Sequence, residues 1–106
     1  MSNDISWHAE LRVKPGQLDA LRALTNEMVA ATKSEPGALI YKRYISADRQ
    51  VVHVFERYVD PDAAVAHLTA FRKTYGERLG KMIDRKRFTV FGTPTTELNL
   101  AGFSRI

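Results

Sequence analysis

Three histidines, no cysteine and one glutamate inside an apolar run are the residues of this chain best placed for chemistry. Histidine titrates near neutral pH, so an imidazole can take up or release a proton under ordinary conditions. His67 falls in a run after Asp60 whose apolar positions Ala64, Leu68, Phe71, Tyr75, Leu79 and Met82 advance in steps of three and four. That spacing predicts a helix with one apolar stripe. At about 100° per residue, His67 lies roughly 80° from the stripe's centre, on a flank from which it can reach the edge of a pocket. Glu56 interrupts the otherwise apolar stretch Val51-Val52-His53-Val54-Phe55. Burial there demands an arginine or histidine partner and shifts the carboxylate's pKa. Such a group can orient an imidazole, or it can form a structural ion pair with Arg12, Arg43 or a residue of a second copy.

Trp7, Tyr41, Tyr58, Phe71 and Tyr75 are candidates to line an aromatic pocket, with tyrosine hydroxyls or Arg43 available to bind a developing oxyanion. His8 and His53, with Glu10 or Glu56, offer metal-ligand atoms, but nothing in their sequence spacing resembles a metal motif, and no metal is expected. The absence of cysteine excludes disulfides, thiol nucleophiles and thiolate-bound metal.

The elements that must position these residues are legible from periodicity. Residues 5–13 alternate strictly between Ile5, Trp7, Ala9, Leu11, Val13 and the polar set between them, which predicts a strand. Lys14-Pro15-Gly16 ends it, and a helix is expected over about 16–34 with Leu18, Leu21, Leu24, Thr25, Met28 and Thr32 on one face. Pro36-Gly37 stops the helix. Strands are expected at about 38–46 and 50–59 across the turn Ala47-Asp48-Arg49. Asp60-Pro61 reads as an N-cap followed by proline at the first helical position, opening a helix to about Asp84 with a kink or break allowed at Gly76 and Gly80. A last strand is expected over about 86–92.

The order β-α-β-β-α-β predicts an α+β, ferredoxin-like fold with a four-stranded antiparallel sheet and both helices on one face. The middle strands carry large apolar groups at both parities, so the uncovered face should pack against a second copy as a homodimer. Residues 1–106 are expected to form a single domain, with its core over about 5–92 and a C-terminal tail at 93–106 that packs on the domain or a partner.

The net charge of +4 is modest, and much of the excess lies in Arg72, Lys73, Arg78, Lys81, Arg85, Lys86 and Arg87. The cluster reads as a solvated helix face running into an edge strand. No nucleic-acid-binding signature accompanies it, so no nucleic-acid partner is expected. No apolar run approaches the ~20 residues of a membrane span, and Met1-Ser2-Asn3-Asp4 lacks the start of a secretory signal. A cytoplasmic protein without membrane contact is expected.

Four segments in order, Ala9-Glu10-Leu11-Arg12-Val13-Lys14-Pro15-Gly16, Glu35-Pro36-Gly37-Ala38-Leu39-Ile40-Tyr41, Phe55-Glu56-Arg57-Tyr58 and Ala66-His67-Leu68, resemble the antibiotic biosynthesis monooxygenase (ABM) family. The interval from Glu56 to His67 is similar to that family's usual glutamate-to-histidine interval. The resemblance implies a dimeric α/β barrel with a small pocket between sheet and helices in each subunit. It implies a monooxygenase that oxidises a small phenolic, quinol or polycyclic aromatic substrate with dioxygen and no cofactor. His67 would be the base, with Glu56 beside it and Trp7, Tyr41, Arg43, Tyr58, Phe71 and Tyr75 around the substrate. The haem-degrading branch has tryptophan at the place of His67, asparagine at that of Ala9 and an axial histidine where this chain has Glu77, so haem degradation is set aside. A non-catalytic dimer that binds a small ligand, and an isomerase or lyase on a small metabolite, are the competing readings. Aromatic lining would favour the oxygenase or the binder, and convergent arginines the isomerase or lyase.

Overall fold

A computed structural model of the chain describes residues 4–92, so the tail expected at 93–106 lies outside the described residues. The elements are β1 (Ile5–Val13), α1 (Leu18–Thr32), β2 (Ala38–Ile45), β3 (Val51–Tyr58), α2 (Pro61–Phe71), a π-helical turn (Arg72–Gly76), α3 (Glu77–Gly80) and β4 (Ile83–Phe91). The strands form one antiparallel sheet in the order β2-β3-β1-β4, the ferredoxin-like arrangement.

The alternation read in β1 becomes burial of Ile5, Trp7, Ala9 and Leu11 under the helices. From α1 come Leu21, Leu24, Met28 and Thr32. Asp60 caps α2 by accepting the Ala63 amide at 2.8 Å, with Pro61 at the first helical position. A cap of this kind contributes ~1 kcal/mol.

The long second helix breaks near the glycines that allowed it, and it ends earlier than expected. It widens into a π turn after Phe71 and ends at Gly80, and β4 starts at Ile83 rather than 86. The two glycines weaken the helix interior, and Ile83 gains a ladder position opposite Val13.

Two β-bulges decide which side chains meet the helices. In β2, Ala38 pairs with Tyr58 and Ile40 with Arg57, so Leu39 is the extra residue. Tyr41 and Arg43 are thereby turned to the helix side, opposite Glu56 and Val54. In β4, Arg85 pairs with Leu11 and Arg87 with Glu10, so Lys86 is the extra residue and Arg85 and Phe88 share the inner parity. Bulges re-aim side chains in this way and concentrate near functional sites. The outer face of the sheet leaves Ile40, Tyr44, Phe55 and Phe91 exposed, as the two-parity pattern predicted.

Gly37 is the close approach that seats the start of α2 on the sheet. A Cβ there would lie 2.5 Å from the Ala63 Cβ and 3.3 Å from Val59 Cγ1. Gly37→Ala should therefore lower stability by ~1–3 kcal/mol in urea unfolding through overpacking. Gly80, with no atom within 4 Å of an added Cβ, should tolerate alanine with a gain of ~0.4–1 kcal/mol.

Candidate active site

Glu56 is turned inward from β3, where only 7% of its surface remains exposed. Each of its oxygens is engaged. Oε1 accepts the Tyr58 hydroxyl at 2.6 Å and lies 3.3 Å from His67 Nε2, while Oε2 accepts Arg43 Nη2 at 2.8 Å. Of the partners the sequence offered, Arg43 from the neighbouring strand forms the ion pair. Burial by itself would raise the carboxyl pKa. The hydrogen bond from His67, the Arg43 charge and the Tyr58 hydroxyl together outweigh it and hold the pKa below the ordinary value of 4.5.

His67, on α2, is 4% exposed. It is more deeply set than the flank position suggested, because the loop after α1 folds over it. From that loop Glu35 meets Nδ1 with its two oxygens at 3.0 and 3.2 Å. The imidazole therefore lies between two carboxylates, Glu35 on one nitrogen and Glu56 on the other. Burial disfavours its charged form, but the bond and charge of Glu56, reinforced by Glu35, raise its pKa above the ordinary 6.5.

The remaining candidates divide into three groups. Trp7 is buried, stacks on Tyr58 at 5.0 Å between ring centroids, and lines an inner cavity of about 230 Å³ between sheet and helices. Arg43, Glu56, His67 and Phe71 line the same cavity. Tyr58 is fully buried and serves as the hydroxyl donor behind Glu56. Burial, then the Glu56 charge, pushes its own pKa far up, so it stays protonated. Tyr41 and Tyr75 instead line a groove of about 340 Å³ between the helices, together with Glu35. Tyr41 lies under the Arg43 guanidinium, 3.5 Å from the ring centroid, and burial pushes its pKa up to about 12. His67 and Phe71 border both spaces, so the imidazole forms part of the wall between them.

Sequence reasoning missed Glu35, which entered only as the first residue of the segment Glu35-Pro36-Gly37 and was given no role at the site. It also missed Arg72 and Arg85 as cavity residues. A carboxylate where the first helix turns back toward the sheet was the signal for Glu35. The arginines had none, because a bulge and a π turn place them. On the outer face, His8, Glu10 and His53 bring ligand atoms within 4.8 Å of one another. His8 Nε2 and His53 Nδ1 face each other at 3.1 Å, so an N–H of one meets the lone pair of the other. That hydrogen bond and the stacking of His8 on Phe55 at 4.5 Å hold the two imidazoles together on the outer face.

The fold and this inward glutamate–histidine pair define the class. The profile of the antibiotic biosynthesis monooxygenase family matches residues 5–77, and the chain belongs to that family. It is 31% identical over 88 residues to Rv0793 of Mycobacterium tuberculosis, which carries a monooxygenase name; the match covers 78% of this chain and 87% of that protein. The solved structure of Rv0793 superposes with a TM-score of 0.71 at 28% identity, covering 87% of this chain and 96% of the other. MupZ of Pseudomonas fluorescens shares the fold with a TM-score of 0.78 at 23% identity, over 95% of this chain and 76% of its own. Among the described residues no helix is long and apolar enough to cross a membrane.

The buried network has a pH signature. The raised pKa of His67 stabilises the fold fully below about 6.5, and this contribution is lost as pH climbs through the folded value. The lowered pKa of Glu56 acts above about 4.5 and is lost as pH falls through its folded value. Arg43, Glu35, Tyr41 and Tyr58 complete the surroundings of the pair. Urea midpoints should therefore peak between these two values. In His67→Gln the decline on the alkaline side should shrink.

Proposed function

We propose that this chain is a cofactor-independent monooxygenase, acting as a homodimer, that oxidises a small phenolic, quinol or polycyclic aromatic molecule with dioxygen. One observation carries the reading: a buried imidazole braced by two carboxylates forms part of the wall of a cavity whose other walls include Trp7, Phe71 and Phe88. Glu35 holds the Nδ1 proton and fixes the tautomer that leaves Nε2 as the base. Glu56 stabilises the imidazolium formed when Nε2 takes the substrate's hydroxyl proton. Arg43 Nη1, a buried donor with no acceptor among the described residues, is available to the resulting oxyanion.

The anion passes one electron to dioxygen, giving an aryloxyl radical and superoxide, and these combine to form a carbon–oxygen bond. His67 returns its proton to the peroxide. At a carbon that carries two hydrogens in the keto form, the remaining C–H proton leaves as the O–O bond breaks. One oxygen stays as a carbonyl and the other departs as water. The protein contributes proton abstraction, exclusion of water and anion stabilisation.

The exposed outer face, with Ile40, Tyr44, Phe55 and Phe91, supports pairing of two copies sheet to sheet. A second reading has its own observation. Arg43, Arg72 and Arg85 converge on the cavity, which favours an isomerase or lyase on a small polar metabolite. Engagement of both His67 nitrogens in turn suits a non-catalytic binder.

An oxygen-electrode screen against hydroquinones and anthrones separates these readings. His67→Ala should lower quinol-dependent oxygen uptake by about 10²–10⁴-fold, the range of a lost general base. Unchanged uptake would remove His67 from the mechanism. Because the base must be neutral, the acidic limb of kcat/KM should lie above the ordinary histidine value of 6.5.

A further inference from the structure

The outer face of the sheet gathers three metal-ligand side chains that the site on the helix side does not use. His8 and Glu10 lie two residues apart on β1 and share that face, and Glu10 stands opposite His53 of β3 in the register. His8 is the diagonal neighbour of His53, a separation that long side chains bridge. All three are half-buried, and one ligand atom from each falls within 4.8 Å of the others.

The two imidazoles are already close to a ligating arrangement. His8 Nε2 and His53 Nδ1 are 3.1 Å apart. Two nitrogens held at about 2.0–2.1 Å on one tetrahedral zinc ion are about 3.3 Å from each other, so the pair has to open by only about 0.2 Å. In the metal-free pair one of these nitrogens carries the proton that the other accepts. A shift of that ring to its other tautomer presents both lone pairs without loss of a proton. The rings are held within 12° of parallel, and His8 is also stacked on Phe55, so little orientation remains to be fixed on binding.

Glu10 adds a negative charge. Its carboxylate forms no ion pair or hydrogen bond among the described residues, although Arg87 stands opposite it on β4. Two imidazole nitrogens and one carboxylate oxygen suit a divalent transition metal, whereas calcium and magnesium take oxygen ligands. Spacing along the chain announces no metal here, because the ligands converge only through the pairing of β1 with β3.

We propose that His8, Glu10 and His53 bind one divalent transition-metal ion, zinc by preference, with the fourth, outward position left to water. The site lies across the sheet from the inner cavity and rests on no part of the monooxygenase reading.

The test is calorimetric titration of the untagged full chain with zinc chloride. One ion per chain should bind with a Kd in the micromolar range or below. His8→Gln, Glu10→Gln and His53→Gln should each weaken binding by at least about 10–100-fold, a loss that even an outer partner of a metal ligand can produce. His67→Gln, which removes the remaining histidine, should bind zinc as the wild type does. Thermal melts confirm that each variant keeps its fold. Nitrogen-15 spectra of the imidazoles read the ligation in the unsubstituted protein: zinc should shift His8 Nε2 and His53 Nδ1 and leave His67 unmoved. Absence of binding below millimolar zinc, binding that survives the three substitutions, or shifts confined to His67 would each overturn the proposal.

Discussion

Glu56 places a charge where a β-strand packed under helices would ordinarily present an aliphatic group. A carboxylate taken out of water costs several kcal/mol unless it is paired and its lone pairs are filled. Its partners come from three elements: Arg43 from β2, Tyr58 from β3 itself and His67 from α2. Satisfying one oxygen pair therefore fixes a neighbouring strand and the second helix relative to β3. The β2 bulge at Leu39 is part of the same arrangement, because without it Tyr41 and Arg43 would face the other side of the sheet.

The second carboxylate changes the character of the site. With Glu56 alone, His67 would be a buried histidine completing an ion pair. Glu35 on Nδ1 fixes the imidazole's orientation and helps raise its basicity. A free imidazole is poorly matched to a phenol, whose pKa lies near 10. Raising the imidazole's pKa narrows that gap and makes proton abstraction less uphill. The same brace makes the imidazole harder to keep neutral, so basicity and availability trade against each other within one hydrogen-bonded chain.

Much of the fold was legible because it rests on periodicity. The alternation of β1, the stripe of α1 and the Asp60-Pro61 cap each reappear as burial or as a hydrogen bond. Glu56 and His67 were legible as a polar group in an apolar run and a histidine near a helix stripe. What escaped depends on single-residue irregularities. Lys86 as an extra residue decides whether Arg85 belongs to the solvent or to the cavity, and nothing in the spacing of basic residues announces a bulge. A break near Gly76 was legible, but its form was not: a π turn over Arg72–Gly76 shifts the phase of the stripe. Glu35 escaped because a residue beside Pro-Gly is read first for its part in ending a helix, while its side chain acts on an element some thirty residues further on.

The cavity's charge and the imidazole's position bear on each other. An anionic group near His67 favours the imidazolium over the neutral ring, so it stabilises the protonated state of the imidazole. That interaction is weaker before transfer than after it, which is the condition for binding energy to lower a barrier. Water in the cavity would screen it, and the apolar walls of Trp7, Leu68, Leu79, Ile83 and Phe88 limit how much water shares the space. Arginines at the cavity and a carboxylate-braced histidine in its wall are then parts of one electrostatic arrangement.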